Sequence, residues 1–445
     1  MNYTEELSQF IVDLRFEDLS TPVVDLAKKS LLDWIGVATG AARAPAVEIL
    51  IDVLDVGGTE KQSSILGRNV KTTAMYAALV NGTMSHVLDY DDAHSVVRTH
   101  PSAPLVPALL AVAEHLALPG RQLITALVAG LEATIRIGFA LGRRYYEKGW
   151  HATSVLGRIG TAAGVAGLLD LTVEQTSLAL GIAATQAGGV RDVFGTMCKS
   201  FHAGKASMDG LLSVLLARKN FSGPLNLLNP DAGFARVFSD EYDPSFIVDG
   251  LGIEYRALEN SFKPYAACLL THPVVDGLIN LKMEYGLEAG LIDGIEVFVN
   301  PFNVRVAGNP EPRDGTEAKF SIQAAAALAS IYGKATNSVF TNERINDPAV
   351  RALMAKVKPV VKCDLAETEA ILVVRLTNGK EHNIHVTVPK GSPGNPLTFD
   401  NIADKTRDLV LGILSRQSVD EIIGLTKHLE DLPDVAKLMD MCRTE

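Results

Sequence analysis

Apolar side chains recur at helical spacing from the first stretch onward: Val23, Leu26, Ala27, Leu31, Trp34, Ile35 and Ala38 share one stripe with Ser30. Thr21-Pro22 in front of it reads as a hydroxyl cap followed by proline at the first helical position. Helical patterns continue to about residue 220, separated by short Gly/Pro punctuation. Thr172-Val173-Glu174-Gln175 has the form of a capping box. Gly160, Gly164 and Gly167 lie within one such pattern, where they predict a helix that approaches its neighbours closely. After about residue 260 the period changes. Asp293–Val299 reads as a strand, and the Pro/Gly/Asn-rich segment 300–315 as a loop. A helix is predicted from near Thr316 to Gly333, and another from Asp347-Pro348. Residues 370–388 form a hairpin pattern with Asn378-Gly379 as a type I′ turn. In it Ile384, Val386 and Val388 are expected to be buried and Asn383, His385 and Thr387 wet. Beyond Pro389 helices return near Asp400 and at Ser418, where Ser418 and Glu421 suggest a second capping box. The pattern predicts a mainly α chain with an inserted α+β domain: an all-helical domain over 1–262, an α+β domain over 263–397 and C-terminal helices over 398–445.

The composition fits a large helical core, with 47% hydrophobic, 21% charged and only 6% aromatic residues. A net charge of −11 and the lack of a Lys/Arg run argue against nucleic acid as a partner. The 4 cysteines are far apart and form no CxxC pair, which suits a reducing compartment. The N-terminus has no basic segment followed by an apolar one, and no uninterrupted apolar run reaches about 18 residues. A soluble, cytoplasmic protein with no membrane partner is expected. A mean hydropathy of +0.16 on an acidic chain suggests apolar surface covered by a second copy.

Chemistry concentrates in His86–Pro101, where Asp89, Asp91, Asp92, His86, His94 and His100 follow an apolar helical pattern. Carboxylates near a helix C-terminus are disfavoured by the macrodipole, so stability alone does not account for them. Three further polar clusters interrupt apolar sequence. The first carries Arg143, Arg144, Tyr145, Tyr146 and His151. In the second, Lys199, His202 and Lys205 precede an apolar helix, and a helix start near Ala203 suits a carboxylate or phosphate. The third holds Lys263, kept extended by Pro264, and His272. Each cluster also has a plain structural reading, as a hydrogen-bonded core histidine or a solvated lysine. Asp91, Asp92 and His94 match no specific metal motif. No GxSxG elbow supports a serine nucleophile. The glycines of residues 157–169 lack GxGxxG spacing and a preceding strand, which excludes a dinucleotide fingerprint.

The ordered segments HVLDYDDAH…HPS, GWH…GRIGTAAGVAGLL, KSFHAGKAS and FKPYAACLLTHPVVDG resemble the MmgE/PrpD family over nearly the whole chain. That family includes 2-methylcitrate dehydratase, cis-aconitate decarboxylase and iminodisuccinate epimerase. The resemblance implies a helical domain, a smaller α+β lid, a site between them, a homodimer, and no metal or organic cofactor. It points to Asp89, His100, His151, Lys199 and Lys263 as functional positions. Two departures stand out. Ala93 replaces the threonine that usually follows the DxDD motif in dehydratase- and decarboxylase-like members, and Ala324 stands where a tyrosine is often found. With those hydroxyls missing, the remaining bases and cations suit removal and return of a proton α to a carboxylate. The expectation is therefore a cofactor-independent epimerase of an imino- or amino-dicarboxylate. Lys263, His151 and Tyr145 would exchange protons, while Asp89, His100, Lys199 and His202 would bind the substrate. The alternatives are a 2-methylcitrate dehydratase-like lyase on a polycarboxylic acid and a non-catalytic polycarboxylate-binding member.

Overall fold

The computed structural model describes residues 2–231 and 233–444. The chain divides into two compact units, Met1–Asn260 with Thr398–Glu445, and Ser261–Leu397. The mainly α character with a smaller α+β part is as the periodicities indicate.

The first unit is helical. Its main elements are α1 (Thr21–Gly40), α2 (Ala74–Val87), α3 (Ser102–Leu116), α4 (Gly120–Leu141), α5 (Ala152–Leu168), α6 (Val173–Thr185) and α7 (Met197–Arg218). Helix α1 begins one residue earlier than a Thr21 cap would place it. Ser20 occupies the cap position, without a side-chain cap bond, and Pro22 lies in the first turn. The capping box of α6 forms, with Gln175 N–H donating to Thr172 Oγ1 and Gln175 Oε1 accepting from Thr172 N–H.

Small residues set how closely these helices pack. A Cβ at Gly160 of α5 would collide with Thr134 Oγ1 and lie 3.0 Å from Gly130 O, both on α4. At Gly164 it would lie 2.9 Å from Ala126 O of the same helix. Helices α2 and α7 cross on a second such contact, where a Cβ on Gly82 would stand 2.8 Å from Gly204 Cα. Helix α4 is long and apolar enough to cross a membrane, yet 89% of its most apolar stretch is buried inside the protein, as in a core helix. The segment Thr398–Glu445 adds helices Phe399–Val410 and Arg416–Lys427 to this unit. The first packs on α1 and ties to it through a buried Lys405–Asp33 pair at 2.6 Å. The second does not start at Ser418. Ser415 is its cap and accepts from Ser418 N–H, so Ser418 sits at the third helical position.

The second unit is built on a four-stranded sheet of β1 (Ile292–Val299), β2 (Val357–Val361), β3 (Ala370–Leu376) and β4 (Glu381–Val386). The order is β2-β1-β3-β4, with β2 parallel to β1 and the other pairs antiparallel. Pro359 falls on β2, at the sheet edge, where its missing N–H is tolerated. The β3–β4 connection is not a type I′ turn. Only Gly379 has positive φ, at 82°, and Gly379 N–H donates to Leu376 O while Leu376 N–H donates to Lys380 O. That is a three-residue loop in which glycine supplies the left-handed bulge. On β4 Val386 is buried and Ile384 half-buried, but Val388 lies beyond the strand end and is 47% exposed. Two helical segments depart from the sequence pattern. Pro301–Ala307 is a helix capped by Asn300 rather than a loop. The stretch from Thr316 is broken into Gly315–Ala318, closed by Lys319, and Ile322–Tyr332, capped by Ser321. Asp347 caps Pro348–Met354 as expected.

Candidate functional site

The acid- and histidine-rich stretch follows directly from how α2 ends. His86 lies in its last turn, and Leu88 closes the helix. Asp89 then adopts φ 52°, a left-handed conformation that Asp tolerates better than most residues and that reverses the chain sharply. A short antiparallel bridge between His94 and Thr99 folds the loop back, and α3 begins at Ser102. The reversal brings Asp91 against the helix it has just left.

Asp91 is the centre of the resulting cluster. Its Oδ2 lies 2.7 Å from His86 Nδ1 and 3.1 Å from His100 Nδ1. The His86 and His100 rings meet edge to face at 4.6 Å, and His86 stacks on His151 at 6.0 Å. His151 is the N-cap residue of α5, and its N–H donates to Gly189 O at 2.9 Å. Its Nδ1 stands 3.0 Å from Nδ1 of His202, so one ring donates and the other accepts. Lys199, one turn before His202 on α7, forms a buried ion pair with Asp89 and lies over the Phe194 ring at 5.5 Å. Helices α2, α5 and α7 thus bring Asp89, His100, His151, Lys199 and His202 together around His86 and Asp91.

Burial shapes the charges. It pushes the His86 imidazole down to about 4 despite the neighbouring Asp91. His151 is also held well below the usual histidine range, by burial first and then by His86, Lys199 and His202. His202 is lowered by burial and by Arg158. Burial alone would raise Asp91, but the His86 and His100 imidazoles outweigh it and keep the carboxyl well below the ordinary range. Near neutral pH His86 and His151 are therefore neutral, beside one anionic carboxylate and a paired lysine.

The remaining candidates each have their own surroundings. Tyr145 is buried and donates its hydroxyl to Val97 O at 2.8 Å, and burial pushes its phenol far up. That bond makes it an anchor for the loop. Helix α7 starts at Met197 rather than near Ala203, because Thr196 caps it through Cys198 N–H. Lys199 is consequently in the first turn, while Lys205 lies inside the helix and pairs with Asp209. Asp92 and His94 separate from Asp91. Asp92 accepts from Ser102 and from Asn260 Nδ2 at 2.7 Å, and burial pushes its carboxyl up to about 7. His94 packs edge-on against Phe139 at 5.6 Å. Lys263 belongs to the second unit, where it is buried, and the N–H of its chain neighbour Phe262 donates to Gly391 O. His272 is a core histidine whose Nε2 bonds Ala267 O at 3.1 Å. His86 was part of the conspicuous stretch, but its pairing with Asp91 was missed. A histidine in the last turn of an apolar helix, followed by acids after a reversal, is the signal that could have found it.

His86, Asp91 and His100 place three ligand-type atoms within 4.8 Å of one another, a spacing that a metal ion could use. The geometry fits a hydrogen-bonded cluster better. Two atoms bound tetrahedrally to one zinc stand about 3.3 Å apart, given bonds of about 2.0–2.1 Å. The 2.7 Å between His86 Nδ1 and Asp91 Oδ2 is a hydrogen-bond distance.

Comparison with known proteins agrees with the end-to-end motif order. The MmgE/PrpD N-terminal domain matches residues 5–247, and the MmgE/PrpD C-terminal domain matches residues 265–431. The chain is 28% identical over 457 residues to a cis-aconitate decarboxylase from Homo sapiens, covering 99% of this chain and 94% of that protein. It is 28% identical over 472 residues to the cis-aconitate decarboxylase-like protein oryM of Aspergillus oryzae, covering 100% and 98%. A cis-aconitate decarboxylase of Aspergillus terreus is 27% identical over 466 residues, covering 98% and 95%. These relatives bear the name of a lyase, so they back the lyase alternative over the epimerase expected from Ala93 and Ala324. With both halves of the chain matched in order, the protein belongs to the MmgE/PrpD family of enzymes.

Proposed function

We propose that this protein is a lyase acting on a small polycarboxylic acid, by loss of carbon dioxide or of water. The observation that carries the reading is the cluster of buried, neutral imidazoles, His86 and His151, beside the Lys199–Asp89 pair. Lyase-named relatives aligned along the whole chain support it.

The chemistry needs two things from the protein. In a decarboxylation the C–C bond to the departing carboxylate breaks, its electron pair stays on carbon, and that carbon then takes a proton. In a dehydration a base removes the α-proton and the departing hydroxyl takes a proton to leave as water. Both need a proton-transfer group within hydrogen-bond reach and a cation to stabilise the developing enolate-like charge. His151 and His100 are suited to the first task. Burial keeps the His151 imidazole neutral and makes it a strong acid once protonated. Lys199 is suited to the second, being held by Asp89 in the first turn of α7, where backbone N–H groups also favour an anion. Ala93, in the loop that carries Asp91 and His100, offers no hydroxyl, so substrate selection here differs from that of members with threonine.

The test is NMR in D₂O with cis-aconitate, 2-methylcitrate and a panel of dicarboxylates. The expected result is a decarboxylated or unsaturated product from at least one tricarboxylate, with deuterium entering in the decarboxylation case. His151→Ala should lower turnover by about 10²–10⁴, the usual contribution of a positioned acid or base. Deuterium exchange with inversion of a dicarboxylate, and no lyase product, would establish the epimerase instead. Ligand-induced thermal stabilisation without turnover would indicate a binding protein.

A further inference from the structure

The cluster contains two residues that the reaction just described does not use directly, His86 and Asp91. His86 is 2% exposed and Asp91 1%, and the two are engaged with each other at 2.7 Å, whereas 16% of the His100 side chain is exposed. Both imidazoles approach the same carboxylate oxygen. His100 Nδ1 stands 3.1 Å from that anionic oxygen, outside hydrogen-bond geometry but close enough to repel a lone pair, so whenever the ring carries a single proton that proton belongs on Nδ1. Its Nε2 then carries the lone pair. Asp91 Oδ1 has no hydrogen-bond partner among the described residues. The carboxylate is therefore held through Oδ2, by the hydrogen bond to His86 Nδ1 at 2.7 Å, with His100 Nδ1 facing the same oxygen.

We propose that His86 and Asp91 are positioning residues that set the tautomer and direction of His100, presenting Nε2 of that ring as the group that exchanges a proton. This rests on the lyase reading for the use of His100, while the tautomer itself is a property of the resting protein. The local fold serves the arrangement. The left-handed turn at Asp89 returns Asp91 to the end of α2, and His86, rigid in that last turn, fixes the carboxylate that His100 meets. A histidine tautomer is set by what its other nitrogen faces, here the Asp91 oxygen that His86 holds in place, so loss of either supporting group should free the ring.

Long-range ¹H–¹⁵N spectra of histidine-labelled protein test this without substrate, with His100 assigned by comparison with His100→Gln. The wild type should show His100 as the Nδ1–H tautomer. Asp91→Asn and His86→Leu should admit the Nε2–H form. His86→Asn, which keeps an N–H donor near the Nδ1 position, should restore the wild-type spectrum. In turnover the first two variants should lose on the order of 10–100-fold in kcat, as for partners one bond removed from the chemistry, with KM little changed. An Nε2–H tautomer in the wild type would overturn the proposal, as would unchanged tautomers in both Asp91→Asn and His86→Leu. If His86→Leu does not fold, the wild-type spectrum and Asp91→Asn decide. A protein that shows the expected tautomers but no lyase product would refute the functional reading and leave the positioning role standing.

Discussion

Gly204→Ala would test how the site is held. Gly204 lies on α7 between Lys199 and the rest of the helix, and it meets α2 four residues before His86, at Gly82. A Cβ there would stand 2.8 Å from Thr83 N and closer still to Leu79 O, where ordinary contact begins at 3.4 Å. Neither neighbour is a flexible side chain, and both belong to the backbone of α2. The two helices would have to part by roughly 1 Å, and overpacking of this kind costs about 1–3 kcal/mol. Alanine regains up to about 1 kcal/mol of helix propensity over glycine, so the net loss should be about 1–2 kcal/mol. The same displacement would pull Lys199 and His202 from Asp89 and His151, and a misplacement of about 1 Å can lower turnover about 10²-fold. Urea denaturation and a turnover assay on one preparation would measure both. Gly424→Ala is the control, because nothing lies within 4 Å of its added Cβ. It should be stabilised by about 0.5–1 kcal/mol with full activity. Wild-type stability and turnover in Gly204→Ala would refute the idea that this crossing sets the site.

Asp92 predicts a pH signature. Its carboxyl is pushed up to about 7 by burial, so the folded protein holds a proton that the unfolded chain releases above about pH 4. Its contribution to stability therefore falls as pH rises from about 4 to about 7. Asp92→Asn should be more favourable relative to wild type at pH 8 than at pH 5 by about 2 kcal/mol, read from denaturation at the two pH values. Arg136 is fully buried, pairs with Glu132 at 2.8 Å and donates to Asp249 O at 2.8 Å. Arg136→Leu should cost about 3–5 kcal/mol, as expected when one member of a buried pair is removed, and an unchanged urea midpoint would contradict that. Turnover should survive exhaustive dialysis against EDTA. Loss restored by one divalent ion would assign the Asp91 cluster to a metal.

The one-dimensional pattern carried the class of the fold. Amphipathic spacing marks a helix wherever a single face must be buried, and period-two alternation marks a half-buried strand, so both were legible without knowing the partner. The α6 capping box was legible for a related reason, since both of its hydrogen bonds close within four residues. The glycine row on α5 was also readable, because small residues at helical spacing have few other uses. Ser418 shows the limit of local reading. It had the right neighbours for a cap, but Ser415, three residues earlier, is where the chain actually enters the helix. The hairpin turn behaved similarly, since Asn378-Gly379 fits more than one loop and strand register decides between them.

The candidate site divides along the same line. The residue types and their concentration between His86 and Pro101 were visible in the sequence, as were His151, Lys199 and His202. Which of them touch was decided by tertiary structure. His151 and His202 are 51 residues apart and Lys199 and Asp89 are 110, and only the crossing of α2, α5 and α7 makes them neighbours. Tyr145 and Asp92 looked as reactive as the others along the chain. In the fold one donates to a backbone carbonyl and the other is enclosed by Ser102 and Asn260. Asp91 became central through a single left-handed residue that turned it back onto its own helix. A sequence states which groups are available for chemistry. Burial and hydrogen-bond partners fix their charge and direction, and those are properties of packed helices rather than of any local stretch.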